Sequence, residues 1–261
     1  MISPERTHAP WPRRISVIGA AGLAAREGVG MFERLPGDLE QNPLAEQSRI
    51  LAADGTVIAT PAEQNRIIVA SEDISEWMKK AQVAIEDERF FDHGGMDVEG
   101  LGRAVFQNVT TDSTQGGSTL TQQYIKLALQ DQALKEGDAE AWEAAQARTG
   151  MPGYVRKLRE LKYAITLEER LTKDQILTGY LNLAFYGQRT YGVEAAARFY
   201  FNTTAAELTI AQAALLAGVV QTPSTTNPIS NPEAAQARRD LVLAKMHELE
   251  MISDDEFQAA V

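Results

Sequence analysis

From Ser71 onward the sequence is a succession of helix starts and apolar stripes, and that pattern points to a mainly α-helical fold. Thr119 with Gln122, Thr172 with Gln175 and Ser253 with Glu256 each place a hydroxyl three residues ahead of a side chain that can reach back, the capping-box arrangement. Asn231-Pro232 supplies an N-cap followed by a proline at the first helical position, where its missing N–H is not needed. The periodicity predicts helices over 74–87, 98–109, 119–130, 138–149, 154–171, 173–183, 190–200, 207–218, 232–249 and 254–260. Ahead of them, residues 49–59 set Asp54-Gly55 between two apolar runs, which predicts a β-hairpin, and 66–70 offers a third strand. With 44% hydrophobic residues over 261 positions, the chain can build a sizeable core.

Charge and residue usage exclude several classes. The net charge of −11 repels nucleic acid, so a polyanion needs a local basic patch. One exists: seven basic residues between Arg148 and Lys173 face three acids, a net +4 that suits a phosphate-bearing ligand. The chain has no cysteine, which removes disulfides, thiolate metal sites and cysteine nucleophiles. His8, His93 and His247 have no zinc-like spacing. Near the start, Arg13-Arg14 precede an apolar stretch of eleven residues, Ile15 to Ala25. A helix of that length spans roughly 17 Å against a bilayer core of about 30 Å, so residues 1–45 read as anchor remnant and linker.

Four runs carry the candidate chemistry. In Ala84 to Gly95, three carboxylates end an apolar stripe and meet Phe90, Phe91, His93 and a glycine pair. Glu86 or Asp87 then lies where a helix enters its core, and desolvation there raises a carboxyl pKa towards acid–base use. In Gly116 to Lys126, a glycine pair opens a helix whose first turn holds Ser118, Thr119 and Thr121. Free N–H groups and the helix dipole suit an anion there, with Lys126 one turn below Gln122. Around Arg156 to Lys162, a stripe of Leu158, Leu161, Ala164, Ile165 and Leu171 is shared by Lys157 and Glu168, which need partners if buried. Arg156 and Glu160 are neighbours at its edge. The last run, Lys173 to Asn182 and on to Ala196, sets glycines beside aromatics, as tight helix corners do. The segment 131–150 reads as a solvated helical insertion without chemistry.

Taken in order, these runs resemble the peptidoglycan glycosyltransferases of family 51, the glycan-polymerising domain of class A penicillin-binding proteins and of monofunctional transglycosylases. The pattern Glu-Asp-x-x-Phe-x-x-His-x-Gly falls on Glu86, Asp87, Phe90, His93 and Gly95; Gly-Gly-Ser-Thr-x-Thr-Gln-Gln falls on Gly116 to Gln123, with Lys126 downstream. Arg-Lys-x-x-Glu falls on Arg156, Lys157 and Glu160, and Ile-Leu-x-x-Tyr-Leu-Asn on Ile176, Leu177, Tyr180, Leu181 and Asn182. Ala213 to Gly218 and Asn227-Pro228 complete the series. The insertion gives the chain an actinobacterial look. Leu127 stands where asparagine is usual, and Thr178 and Gln212 where acids are common.

The resemblance implies a lysozyme-like glycosyltransferase fold over 46–261, with a head lobe and a smaller membrane-facing jaw lobe. It implies lipid II and the growing glycan as substrates, and work at the extracytoplasmic face of the bacterial cytoplasmic membrane. A transpeptidase domain or other cell-wall synthesis partners would accompany it, and no nucleic acid. Glu86 becomes the expected base and Glu160 the second catalytic carboxylate, orienting the cations. Asp87, Phe90, His93, Ser118, Gln122, Gln123, Lys126, Arg156, Lys157 and Asn182 become expected substrate contacts. No cofactor is required on this reading, and Mg2+ or Mn2+ are the ions that could sit on the pyrophosphate near Glu160. Two rival functions remain: an inactive lipid II-binding scaffold and a lysozyme-type hydrolase. Neither Ser-x-x-Lys nor Lys-Thr-Gly occurs, so the sequence offers no penicillin-reactive serine.

Overall fold

The structure, a computed structural model of the chain, describes residues 44, 50–54, 57–59, 64–97, 118–147 and 149–261. The expected helix at 98–109 and the apolar stretch at 15–25 lie outside them. Strands β1 (Ile50–Leu51) and β2 (Val57–Ala59) pair antiparallel across the expected turn. The third strand is shorter than expected and goes elsewhere. β3 (Asn65–Arg66) pairs in parallel with β4 (Thr190–Tyr191), at a place expected to begin a helix. Gly192 explains that difference. Its φ of 80° interrupts the chain, and a Cβ there would lie 2.9 Å from the Asn182 carbonyl oxygen. The helix therefore starts only at Val193.

Nine α-helices follow among the described residues: α1 (Glu76–Glu86), α2 (Leu120–Glu136), α3 (Ala139–Gln146), α4 (Gly150–Glu168), α5 (Lys173–Leu183), α6 (Val193–Phe201), α7 (Ile210–Val220), α8 (Pro232–Glu248) and α9 (Asp254–Ala260). The boxes at Thr172/Gln175 and Ser253/Glu256 both close. A third closes at Thr209/Gln212, which gives Gln212 a structural use that an acid could share. At Thr119 only half a box forms, because the Gln122 amide turns away to the Gly95 carbonyl. Gly137, at φ 67°, ends α2 with a left-handed cap.

The helices pack in two connected groups. α1, α7 and α8 bury Met78, Ala81, Ala214, Leu216, Ala217, Val242, Leu243 and Met246 against one another. The small residues of α7 permit the close approach: a Cβ on Gly218 would stand 2.9 Å from Cγ of Arg238. The second group sets α2 against α3, α4 and α5, burying Leu120, Ile125, Ala164, Leu167, Ile176 and Tyr180. No helix among the described residues is long and apolar enough to cross a membrane.

Two expectations about this second group change. The buried line of α4 is Gly153, Glu160, Tyr163, Ala164 and Leu167, whereas Leu158 and Leu161 are only half buried and Ile165 is exposed. The helix is rotated so that Ala164 can meet the Gly95 backbone and Glu160 can turn inward to its cations. The segment 131–150 is also not simply solvated. Asp131 is buried and pairs with the buried Arg66 of β3 at 2.9 Å and with Lys135 at 2.8 Å. Arg66 in turn lies 5.4 Å above the Tyr191 ring. This ion pair ties the small parallel sheet to the middle of α2. Asp131→Ala should therefore lower the unfolding free energy by about 3–5 kcal/mol, the usual cost of breaking a buried pair. Urea unfolding of the two proteins measures it, and a change within experimental error would show the pair to be incidental.

Candidate active site

The loop from Asp87 to Asp97 leaves α1 and is wired to two other helices. Asp87 Oδ2 accepts the Leu120 N–H at 2.9 Å, at the very start of α2. Asp87 Oδ1 meets Nε2 of His93 at 2.8 Å, and Nδ1 of the same ring meets the Gly94 carbonyl at 2.5 Å. The Gly95 carbonyl then accepts the Gln122 amide at 3.2 Å, and the Gly95 Cα lies on the backbone of α4. A negative carboxylate on the first free N–H of a helix is favoured by both the hydrogen bond and the dipole. The anion expected at this helix start is thus partly provided by the chain. Leu120 N–H is used by Asp87, and Gln122 N–H by the Thr119 hydroxyl.

Glu86, the last residue of α1, is placed differently from its neighbour. Its Oε2 accepts the Gln123 amide from α2 at 2.9 Å, while Oε1 is enclosed and has no hydrogen-bond partner among the described residues. Burial pushes its carboxyl above the ordinary value. The Gln123 hydrogen bond and the Arg238 charge pull it back, and the Asp87 charge adds to the rise. One oxygen fixed and one without a partner is the arrangement of a group that can take a proton.

The cationic part lies on α4. Glu160, buried, accepts from Arg156, and its Oε2 lies 3.2 Å from Lys157 Nζ. Lys157 also donates to the Ser118 hydroxyl at 2.5 Å, and Arg156 Nε donates to the Ala147 carbonyl at 2.6 Å. The Lys157 side chain remains 42% exposed against 16% for Arg156, so lysine is the cation better placed to meet a ligand. Glu160 itself lies beneath its cations, which is the place of a positioning residue. Lys126 is half buried on α2, three residues beyond Gln123. Glu168, the other acid on this helix, pairs with Lys173 at 2.7 Å and accepts from Thr121.

Three expected contacts are spent inside the protein. Phe90 is fully buried, with Lys173 Nζ 4.4 Å from its ring centroid, while Phe91 is the exposed member of the pair. Asn182 uses its whole amide on Val69, donating to the carbonyl at 2.9 Å and accepting the N–H at 3.1 Å. It clasps the segment after β3 to α5. His93 has oxygens at both ring nitrogens, as described above. Glu88 is paired with Lys245 of α8 at 2.9 Å. Arg238 was not legible as a site residue: it comes from α8, 152 positions after Glu86 in sequence, with no motif around it. Gly218 was its only trace, since a missing Cβ is what lets the arginine stem lie across α7.

A divalent ion does not fit Glu160 as it stands, because both carboxylate oxygens face cations. Among the described residues, Asp87, His93 and Asp97 bring ligand atoms within 4.8 Å of one another. That trio is already satisfied by the chain: Asp87 holds Leu120 and His93, and Asp97 is paired with Arg89. It is a structural junction of the loop.

The sequence model of the Transglycosylase family matches residues 54–247. The chain is 37% identical over 228 residues to penicillin-binding protein 1A of Mycobacterium tuberculosis, covering 87% of this chain and 26% of that protein. It is 40% identical over 205 residues to penicillin-binding protein 1A of Neisseria gonorrhoeae, covering 78% of this chain and 23% of that one. A crystal structure of penicillin-binding protein 1A from Haemophilus influenzae aligns with 85% of this chain and 21% of its own, at 24% identity and a TM-score of 0.46. The chain thus spans about a quarter of the length of these relatives.

Two outcomes are expected from this geometry. A Cβ on Gly95 would lie 2.5 Å from backbone atoms of Ala164 and Ile165, so Gly95→Ala must push the loop and α4 apart. The cost should be about 1–3 kcal/mol, read by thermal or chemical unfolding; an unchanged midpoint would mean that the contact is not tight. Glu86→Gln should stabilise the fold at neutral pH. The folded carboxyl titrates above its unfolded value, so the wild type loses stability as pH rises through that window. The difference in melting temperature should vanish at low pH, where Glu86 is protonated in both states, and differential scanning fluorimetry across pH 3–9 reads it.

Proposed function

We propose a reaction for this chain, which belongs to the transglycosylase family: polymerisation of lipid II into β-1,4-linked glycan, with release of undecaprenyl pyrophosphate. The observation that carries the reading is Glu86, a desolvated carboxylate with one oxygen held by Gln123 and the other without a partner. On this reading Glu86 Oε1 takes the proton of the acceptor's 4-hydroxyl. The deprotonated 4-hydroxyl oxygen attacks C1 of the lipid-linked donor sugar from the face opposite the leaving group, and the C1–O bond to pyrophosphate breaks with inversion. The bond made is the glycosidic bond of the growing strand, which places the enzyme among hexosyltransferases.

The leaving pyrophosphate carries the charge that must be stabilised. Lys157, half exposed and held by Glu160 and Ser118, is placed for that work, with Arg156 and Lys126 in support. Such preorganised cations are of no use to a simple glycan hydrolase, whose leaving group is a neutral sugar hydroxyl. Neither Mg2+ nor Mn2+ is required on this reading, since the protein's own cations already occupy Glu160. On the same reading the chain works at the extracytoplasmic face of the cytoplasmic membrane, beside a transpeptidase domain; a lipid-linked substrate and relatives named penicillin-binding proteins support it.

Labelled lipid II in detergent tests this directly. Glu86→Gln should reduce chain formation by about 10²–10⁴-fold, the share of a general base, while donor binding persists. Lys157→Met should cost about 10²–10³-fold, as removal of a charge stabiliser does. Polymerisation at the wild-type rate by the Glu86 variant would remove Glu86 from the chemistry. Wild-type protein that binds lipid II without forming chains would favour the scaffold. Chains formed equally well in EDTA and in Mg2+ would agree with a metal-independent step, and loss of chains in EDTA would contradict it.

A further inference from the structure

Beneath Glu86 lies a file of buried polar groups that the reaction described above does not use. Gln123 Oε1 accepts from the Tyr180 hydroxyl at 3.4 Å, and the Tyr180 oxygen accepts from the Gln82 amide at 3.4 Å. Gln82 is fully enclosed on α1, and Tyr180 is 1% exposed on α5. Tyr180 belongs to the core cluster that also holds Met78, Ala81, Ile176 and Leu177, where an apolar side chain makes no demand for partners.

We propose that Tyr180 and Gln82 are positioning residues for Glu86, fixing the Gln123 amide so that its NH2 and not its carbonyl meets the carboxylate. The inference rests on the reading of Glu86 as the base. An ionised carboxylate only accepts hydrogen bonds, and an amide can present either end. The end it presents is decided on its far side. Tyr180 cannot ionise in this setting, because burial holds its phenol well above the ordinary value. It is therefore a permanent donor with one proton. Gln82 supplies a donor to the phenol oxygen, so that proton is directed to Gln123 Oε1. The Gln123 NH2 is then left facing Glu86.

The packing enforces the same alignment. α2 and α5 meet through a reciprocal pair: the Tyr124 ring lies over Gly179, and the next residue, Tyr180, reaches Gln123. A Cβ on Gly179 would stand 2.8 Å from the Tyr124 ring, so a larger residue there would make that ring shift. Among the described residues, the other charges that act on Glu86 are Asp87, next in the chain, and Arg238 of α8. α7, which also packs on α1, carries no titratable side chain.

Removing the phenol oxygen frees the Gln123 amide to turn, and a carbonyl against Glu86 favours the protonated acid. The test uses protein carrying 13C at the glutamate carboxyls, the Glu86 signal being assigned by its loss in Glu86→Gln. Tyr180→Phe should raise the Glu86 titration midpoint by about one pH unit, the size expected for one lost hydrogen bond to a charged group. The acid limb of the lipid II pH–rate profile should move by the same amount, with the rate largely recovered on the alkaline side. Gln82→Met should shift both in the same direction by less, and it carries the test if the tyrosine variant does not fold. An unmoved midpoint in a folded variant, or a rate loss equal at every pH, would overturn the proposal. Should the wild type form no chains, the functional reading fails by itself, and the carboxyl titration still decides whether the file orients Gln123.

Discussion

The contact on which the rest of the site depends is the Asp87 carboxylate at the first N–H of α2. It joins the end of one helix to the start of another that lies 33 residues further on. The same carboxylate holds His93, and through the turn that follows, Gly95 is laid on α4. One side chain therefore sets three helices relative to each other. Each of the three brings one part of the candidate site: Glu86 from α1, Gln123 from α2, and the Arg156–Lys157–Glu160 set from α4. A helix N-terminus attracts a carboxylate for electrostatic reasons that do not depend on its neighbours, which makes it a dependable anchor. The two adjacent acids are thereby separated in role by what they face. Asp87 faces a helix end and meets both the Leu120 N–H and His93, while Glu86 is desolvated and held by the Gln123 amide.

Much of this was legible in the sequence because it is local. Caps at Thr172 and Ser253, the proline after Asn231 and the turn at Asp54 are decided within four residues, and the helices they delimit are where the periodicity puts them. Motif order was legible for the same reason, since each run is contiguous. What was not legible required partners distant in sequence. β3 looked like a continuation of the hairpin, yet its partner lies at Thr190, because Gly192 ends the strand register there. Asn182 looked like a ligand contact because it sits in a motif, but its amide is consumed by Val69. Asp131 looked solvated because its neighbours in sequence are polar, while its partner, Arg66, arrives from another element. The α4 stripe was drawn through leucines, although a backbone contact with Gly95 and an inward-turned glutamate decide which face is buried.

On the proposed reaction, the two halves of the site make opposite electrostatic demands. A base gains from a dry setting, because desolvation raises its proton affinity. A pyrophosphate holder needs full positive charge and access to the ligand, which burial would weaken. The chain satisfies both by giving each half its own counter-charge. Glu86 has the remote Arg238 and a neutral amide, so it is restrained from remaining protonated without being locked into an ion pair. Lys157 and Arg156 have the buried Glu160 directly beneath them, which fixes their heads while leaving Lys157 open to solvent. Had Arg238 been in contact with Glu86, the carboxylate would be paired and a poor proton acceptor. Had Glu160 been at the surface, it would compete with phosphate for the same lysine. Distance in the first case and burial in the second are what let carboxylates and cations share one small region without cancelling each other.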